Sequence, residues 1–308
     1  MADPAASFEP YRRRLLGLAY RMLGSMADAE DAVQETYLRW HASDRGRVLE
    51  PKAFLMTTTT RICLDMLTSA RARREEYIGP WLPEPVADTE MLAPDSRTEM
   101  AEDLSIALLL LLEQLSPLER AAFVLHEVFD FSFREIAQAL ERSEAACRQL
   151  ATRARTRIRE GRPRGVAPTA RPSEADAKHV QLMSAFAAAT QAGDLGGLIQ
   201  LLASDARVIT DGGGKVRSAL KPIEGAERVA QFLVEVTRKR PDAWWRDDFR
   251  PRFGTVNGLP AIIVDAPDGP VQTTAFEIDG GVITALYIVR NPDKLRHLGR
   301  NRAQRPSE

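Results

Sequence analysis

The chain has 308 residues, 44% hydrophobic and 28% charged, with 42 Lys and Arg against 43 Asp and Glu and a formal net charge of −1. That length holds two or three domains with cores of their own, and the near-neutral balance excludes a uniformly basic nucleic-acid coat protein. The two cysteines, Cys63 and Cys147, stand in no CxxC arrangement, so no disulfide framework, metal site or cofactor is expected.

In chain order, Leu15, Leu18, Ala19, Met22 and Leu23 predict a first amphipathic helix that Gly24-Ser25 ends. Ser25 and Asp28 resemble a capping box opening a second helix, with Ala29, Val33, Tyr37 and Trp40 as its apolar stripe and Asp31, Gln34, Glu35 and Leu38 on another face. A loop over 42–50 leads to Pro51 and a third helix, whose expected outer positions are Thr57 to Thr60 and Arg61 and whose end carries Arg71, Arg73 and Arg74. Residues 75–103 hold nine acidic residues against one Arg, with prolines at 80, 83, 85 and 94, and read as an extended linker. The N-terminus has no signal-like apolar region and the longest apolar run, Ile106 to Leu112, is too short to span a bilayer, so a cytoplasmic protein without membrane contact is expected.

Four short helices are predicted over 104–159, and the last two have the form of a helix-turn-helix unit. Phe133, Ile136, Ala137 and Leu140 give a short apolar helix, and Ser143 caps the next one. In that second helix Cys147, Leu150, Ala154 and Ile158 are expected inward, leaving Arg148, Gln149, Thr152, Arg153 and Arg155 outward. Residues 143–164 contain seven Arg and two Glu, a local charge of +5 in a chain of −1. An outward face of guanidiniums and amides on a packed helix suits major-groove readout, the bland alternative being a solvated basic helix.

A second linker, residues 162–173, separates off two helices, a strand near 206–210, a helix over 225–239 and strand-like runs at 244–253, 261–265, 271–278 and 282–289. Asn257-Gly258, Asp268-Gly269 and Gly280-Gly281 are turn signals, so an α+β unit with an antiparallel sheet is expected. Gly212-Gly213-Gly214-Lys215 fails as a phosphate loop, because Ile209 stands at the first glycine position and Val216 replaces Ser/Thr; a tight turn explains it better. An enzyme here would need an acid or base pair, for which His179, His297 and Asp211 are the few candidates, and no catalytic residue is assigned. Trp244-Trp245 fits core packing better than a ligand pocket.

DAEDAVQETYLRW, PKAFLMTTTTRICLDMLTSARARRE and LSPLERAAFVLHEVFDFSFREIAQALERSEAACRQLATRAR together resemble domains two and four of bacterial extracytoplasmic-function (ECF) sigma factors. The rest is similar to a SnoaL-like cone-shaped α+β domain. Trp81-Leu82-Pro83-Glu84-Pro85, Asp211-Gly212-Gly213-Gly214-Lys215-Val216 and Asn291-Pro292-Asp293-Lys294-Leu295 further resemble the ECF group with a SnoaL-like C-terminal extension, group forty-one.

The resemblance implies a multidomain fold: an all-α region 2 domain (7–75), an acidic linker (76–103), an all-α region 4 helix-turn-helix domain (104–161), a linker (162–173) and an α+β SnoaL-like domain (174–298). It implies a non-enzymatic sigma factor that binds core RNA polymerase and promoter DNA at the minus-ten and minus-thirty-five elements. Asp28, Asp31, Gln34 and Glu35 would face polymerase, Lys52 and Arg61 the minus-ten DNA, and the outward face of the second helix-turn-helix helix the minus-thirty-five DNA. Two departures stand out: many family members carry Trp and Asn where this chain has Phe54 and Arg61, and Leu150-Ala151 replaces a common Arg-Leu pair. The acidic linker suits either a positively charged polymerase channel or a plain tether. An interdomain regulatory contact is expected between Trp81 and Pro83 on one side and Asp211, Gly212, Gly213, Gly214 and Lys215 on the other, with no separate anti-sigma factor required. Other readings are a small-molecule-binding or catalytic SnoaL-like domain, and a polymerase-independent DNA-binding regulator.

Overall fold

The structure, a computed structural model, describes residues 4–75, 77–87, 104–161, 175–239 and 248–300. Trp244 and Trp245, residues 88–103 of the acidic linker and the second linker lie outside the described residues. The chain forms two compact units, Met1–Glu76 with Asp88–Arg164, and Tyr77–Ala87 with Gly165–Glu308.

In the first unit, α1 (Pro4–Leu23) buries Leu15, Leu18, Ala19 and Met22, and Gly24 at φ 67° turns the chain out of it. The Ser25 hydroxyl accepts the Asp28 N–H at 3.1 Å and starts α2 (Met26–Ala42), which buries Ala29, Val33 and Trp40. Helix α3 (Pro51–Glu75) packs on both through Leu55, Met56, Ile62 and Cys63. Thr59 and Thr60, expected on the outer side of α3, are instead fully buried. Their hydroxyls donate to Leu55 O at 2.9 Å and Met56 O at 2.8 Å, and the Thr36 and Thr59 hydroxyls lie 3.0 Å apart. A threonine satisfied by the preceding turn packs like valine, which is why the polar run concealed an inward face.

The rest of this unit is α4 (Ile106–Glu113), α5 (Pro117–Phe123) running into a π-turn at Val124–Val128, α6 (Phe133–Leu140) and α7 (Glu144–Gly161). Complete capping boxes, Ser116 with Glu119 and Ser132 with Glu135, fix the starts of α5 and α6. Helix α7 buries Cys147, Ala151, Ala154 and Ile158; Leu150, expected inward, is only half-buried. Ala151, 1% exposed and one turn after Cys147, takes the inward position instead.

The second unit contains α8 (Ala175–Ala192), α9 (Leu195–Leu201), β1 (Leu202–Asp211), β2 (Ile223–Glu224), α10 (Ala226–Lys239), β3 (Arg250–Val256), β4 (Leu259–Ala266), β5 (Gly269–Asp279), β6 (Val282–Val289) and α11 (Pro292–Arg300). The six strands among the described residues are ordered β2-β1-β6-β5-β4-β3. The sheet is not wholly antiparallel as expected, because β1 and β6 run parallel. Tight turns force antiparallel pairing along β3 to β6, whereas β1 reaches β6 only through all the intervening chain and no hairpin fixes its direction. One face packs Ala206, Val208, Phe276, Leu286 and Ile288 against Phe186, Leu198, Val229 and Leu233 of the helices. Strand alternation puts Arg207, Asp211, Glu277 and Tyr287 on the other face.

Candidate functional site

Within the second unit, the segment Tyr77–Ala87 is tied to the sheet as a strap. Leu82 is wholly buried and Val86 nearly so, while Pro80, Pro83 and Pro85 pre-set an extended backbone. At its centre Asp211, the last residue of β1, is 0% exposed. One carboxylate oxygen accepts the Leu82 N–H at 2.8 Å and the Lys294 ammonium at 2.8 Å; the other accepts the Tyr77 hydroxyl at 2.5 Å and the Gly213 N–H at 3.1 Å. Lys294 also donates to Leu82 O at 2.5 Å and lies 4.2 Å from the Trp81 ring centroid. Burial, reinforced by Asp211, pushes the Tyr77 hydroxyl well above its ordinary pKa, so it stays a donor.

The Asn291 side chain joins the same network, donating to the Tyr77 oxygen at 2.8 Å and accepting the Asp293 N–H at 3.1 Å, where it starts α11. Lys215 pairs with Asp293, and that hydrogen bond first of all, opposed by desolvation, holds the Asp293 carboxyl below its usual range. Gly213 (φ 59°) and Gly214 (φ 70°) occupy left-handed backbone. A Cβ on Gly212 would meet Val216 O at 2.0 Å, one on Gly213 would meet Asn291 Nδ2 at 2.2 Å, and one on Gly214 would meet Ile78 Cδ1 at 2.8 Å. The glycines therefore serve both the turn and the close approach of the strap. Further along, Val86 and Asn257 exchange two hydrogen bonds, Val86 N to Asn257 Oδ1 at 3.1 Å and Asn257 N to Val86 O at 2.8 Å, and His297 Nε2 lies 2.5 Å from Pro85 O.

The structure thus brings Trp81, Pro83, Asp211, Gly212, Gly213, Gly214 and Lys215 into one neighbourhood. Tyr77, Asn257, Asn291 and Lys294 were missed as site residues. The motif containing Asn291 and Lys294 was visible in the sequence, but nothing in spacing alone linked it to a segment some two hundred residues earlier. His297, weighed above as a candidate acid or base, is engaged with the strap backbone.

In the first unit, Gln149, Thr152 and Arg153 are exposed along α7. Arg148 is held by Glu144 at 2.8 Å and by the Phe133 ring, 5.5 Å from its centroid, while Phe133 lies 4.3 Å from the His126 ring. Arg155 is ion-paired to Glu127 and Arg157 to Glu119 at 2.8 Å, which ties both to their own domain. Desolvation opposes ionisation of Glu119, yet the Ser116 hydroxyl and N–H, with Arg157, hold its carboxyl below the usual range. On α2, Asp31 and Gln34 are exposed and Asp28 and Glu35 half-exposed, around a Leu38 that is 54% exposed. Lys52 lines an open cleft of about 490 Å³ with Arg14, Glu50, Phe129, Phe131 and Glu135. Arg61 instead contacts α6: Nε donates to Ala139 O at 3.0 Å, Nη2 to Gln138 O at 2.9 Å, and Glu141 lies 3.1 Å away.

A three-helix domain with an acidic helix face, followed by a helix-turn-helix with a basic outer face, is the organisation of a sigma-70-type transcription initiation factor. Residues 8–73 match Sigma-70 region 2 and residues 105–158 match Sigma-70 region 4. The chain is 37% identical over 299 residues to the ECF RNA polymerase sigma factor SigJ of Mycobacterium tuberculosis, covering 94% of this chain and 92% of SigJ. It is 31% identical over 296 residues to a probable ECF RNA polymerase sigma factor, SigI, of the same organism, with 95% of each chain covered. The crystal structure of SigJ superposes with a TM-score of 0.70 at 32% identity, over 94% of this chain and 97% of that one. The chain belongs to the ECF RNA polymerase sigma factors. It functions as a sigma factor, binding RNA polymerase and promoter DNA. Among the described residues, no helix is long and apolar enough to cross a membrane and no cluster of His, Cys, Asp and Glu could hold a metal ion.

Proposed function

We propose that this sigma factor is regulated in cis by its SnoaL-like domain, which holds the linker between regions 2 and 4 and so sets how far the two promoter-reading domains separate. The observation that carries this is the buried Asp211–Lys294 network gripping Leu82. Helix α3 ends at Glu75, two residues before Tyr77 begins the strap, so docking takes 11 of the 28 linker residues, 77–87 of 76–103, out of play. Each residue released adds up to about 3.3–3.6 Å of reach. A separate anti-sigma factor is unnecessary in this reading, because the restraint is built into the chain.

The C-terminal domain acts by binding rather than turnover. The sheet face beneath α8 to α10 is apolar in its described core, and Gln272 and Thr274, polar residues there, bond to each other at 3.1 Å. Asp211 and Glu277 lie on the opposite face, so among the described residues no carboxylate pair of the sheet addresses that interior. Truncation after Pro172 tests the regulatory reading: reconstituted with core polymerase, the shortened chain should transcribe at a severalfold different level from the full chain. Equal transcription by both would remove the C-terminal domain from control.

Polymerase docking is assigned to Asp28, Asp31, Gln34 and Glu35, with Leu38 as the apolar centre of the patch. Asp31→Lys with Glu35→Lys should weaken core binding at least tenfold at low salt without loss of helicity, because Asp31 is exposed and Glu35 only half-buried, off the apolar stripe. Unchanged affinity in a pull-down takes these two residues out of the interface.

A further inference from the structure

We propose that Arg61 is a latch joining region 2 to the helix-turn-helix, and that gripping α6 and gripping promoter DNA are alternative uses of its one side chain. The inference rests on the sigma-factor assignment and is independent of the strap. Helix α6 has eight residues, and the N–H groups of both Glu141 and Arg142 go to the Ala137 carbonyl. The Gln138 and Ala139 carbonyls at its end need donors from elsewhere, and the negative end of the helix favours a cation. Arg61 supplies both: Nε and Nη2 take the two carbonyls at 3.0 and 2.9 Å, and Glu141 lies beside them. That Nε–Nη2 edge is also the one that forks onto a phosphate, so the closed arrangement occupies the group that DNA would need.

Other contacts across the same seam are more deeply placed. Arg14 donates to Phe129 O at 3.1 Å and Arg120 to Met22 O at 2.6 Å, and both side chains are buried, whereas the Arg61 side chain is 44% exposed at the rim. The seam also contains the open cleft of about 490 Å³ at Lys52, and is therefore not a continuous dry core. A half-exposed contact in a seam that is not continuously packed is where opening starts.

Fluorescence energy transfer in the full chain tests this without polymerase or DNA. Labels at Glu30→Cys and Glu160→Cys occupy exposed positions on α2 and α7, while the native thiols Cys63 and Cys147 are buried and escape surface labelling. In a urea series read together with circular dichroism, the wild type should lose transfer before it loses helicity. Arg61→Ala should shift the closed-to-open ratio on the order of tenfold toward open, as for loss of charge-assisted hydrogen bonds, with Arg61→Lys intermediate. Glu141→Ala, which leaves the carbonyl bonds in place, should shift it less than about threefold. The latch is overturned if Arg61→Ala opens at the wild-type urea concentration, or if transfer and helicity disappear together in every variant. A failure here would leave transcriptional effects of strap variants intact, and the reverse, so the two proposals fail separately.

Discussion

Replacing Asp211 by alanine should cost the C-terminal domain about 3–5 kcal/mol, the usual penalty for leaving one member of a buried ion pair without its partner. The Lys294 side chain, 7% exposed, would lose its counter-ion, and the Leu82 and Gly213 N–H groups would lose their acceptor. Against a typical domain stability of roughly 5–15 kcal/mol this is a large fraction, and it corresponds to a melting temperature lower by on the order of 10 °C. Calorimetry on the full chain would show the shift in one transition, and hydrogen exchange should show protection lost first at Leu82 and Val86. The double variant Asp211→Asn with Lys294→Met removes both charges and should be less destabilised than the sum of its single variants, giving a positive coupling in a double-mutant cycle. A wild-type melting temperature and unchanged exchange in Asp211→Ala would mean that the network does not hold the strap.

Arg148→Ala should weaken binding of the minus-thirty-five element by about 1–3 kcal/mol and relax discrimination at one base pair. Glu144 and the Phe133 ring hold the guanidinium in place before DNA arrives, which reduces the entropy lost when it docks. Binding to duplexes carrying each single-base change, at one fixed salt concentration, separates the possibilities. Loss confined to one position marks a base contact; equal loss on all sequences, with a shallower salt dependence, marks a phosphate contact and contradicts the base-reading assignment.

The helices were legible because their signals are local. Gly24-Ser25, Pro51 and Ser143 punctuate the chain, and stripes such as Ala29, Val33 and Trp40 repeat at helical spacing. Thr59 and Thr60 were misplaced because a hydroxyl that bonds its own helix leaves no polar mark on the surface, and Leu150 because two adjacent apolar residues compete for one inward position. The parallel β1–β6 pair was not legible, since alternation reveals which side of a strand is buried and says nothing of its direction. In the strap, Trp81 and the glycine turn were visible as motifs, but the chemistry joining them lies in Asp211, Tyr77, Asn291 and Lys294. A buried carboxylate in a strand reads in sequence as a turn residue, and only the fold shows that its acceptors are filled from two distant segments, the strap and α11, as well as from its own turn.

The most direct test of control through the linker is run-off transcription on templates whose spacer between the two promoter elements is varied one base pair at a time. Wild type should be compared with Lys294→Met and the milder Tyr77→Phe, all at equal core-polymerase occupancy. With the strap docked, the separation of regions 2 and 4 is restricted and the wild type should show a narrow spacer optimum; releasing Tyr77–Ala87 lengthens the free linker and should broaden it, more in Lys294→Met than in Tyr77→Phe. Superimposable spacer profiles and equal yields for all three proteins would contradict regulation in cis through the strap.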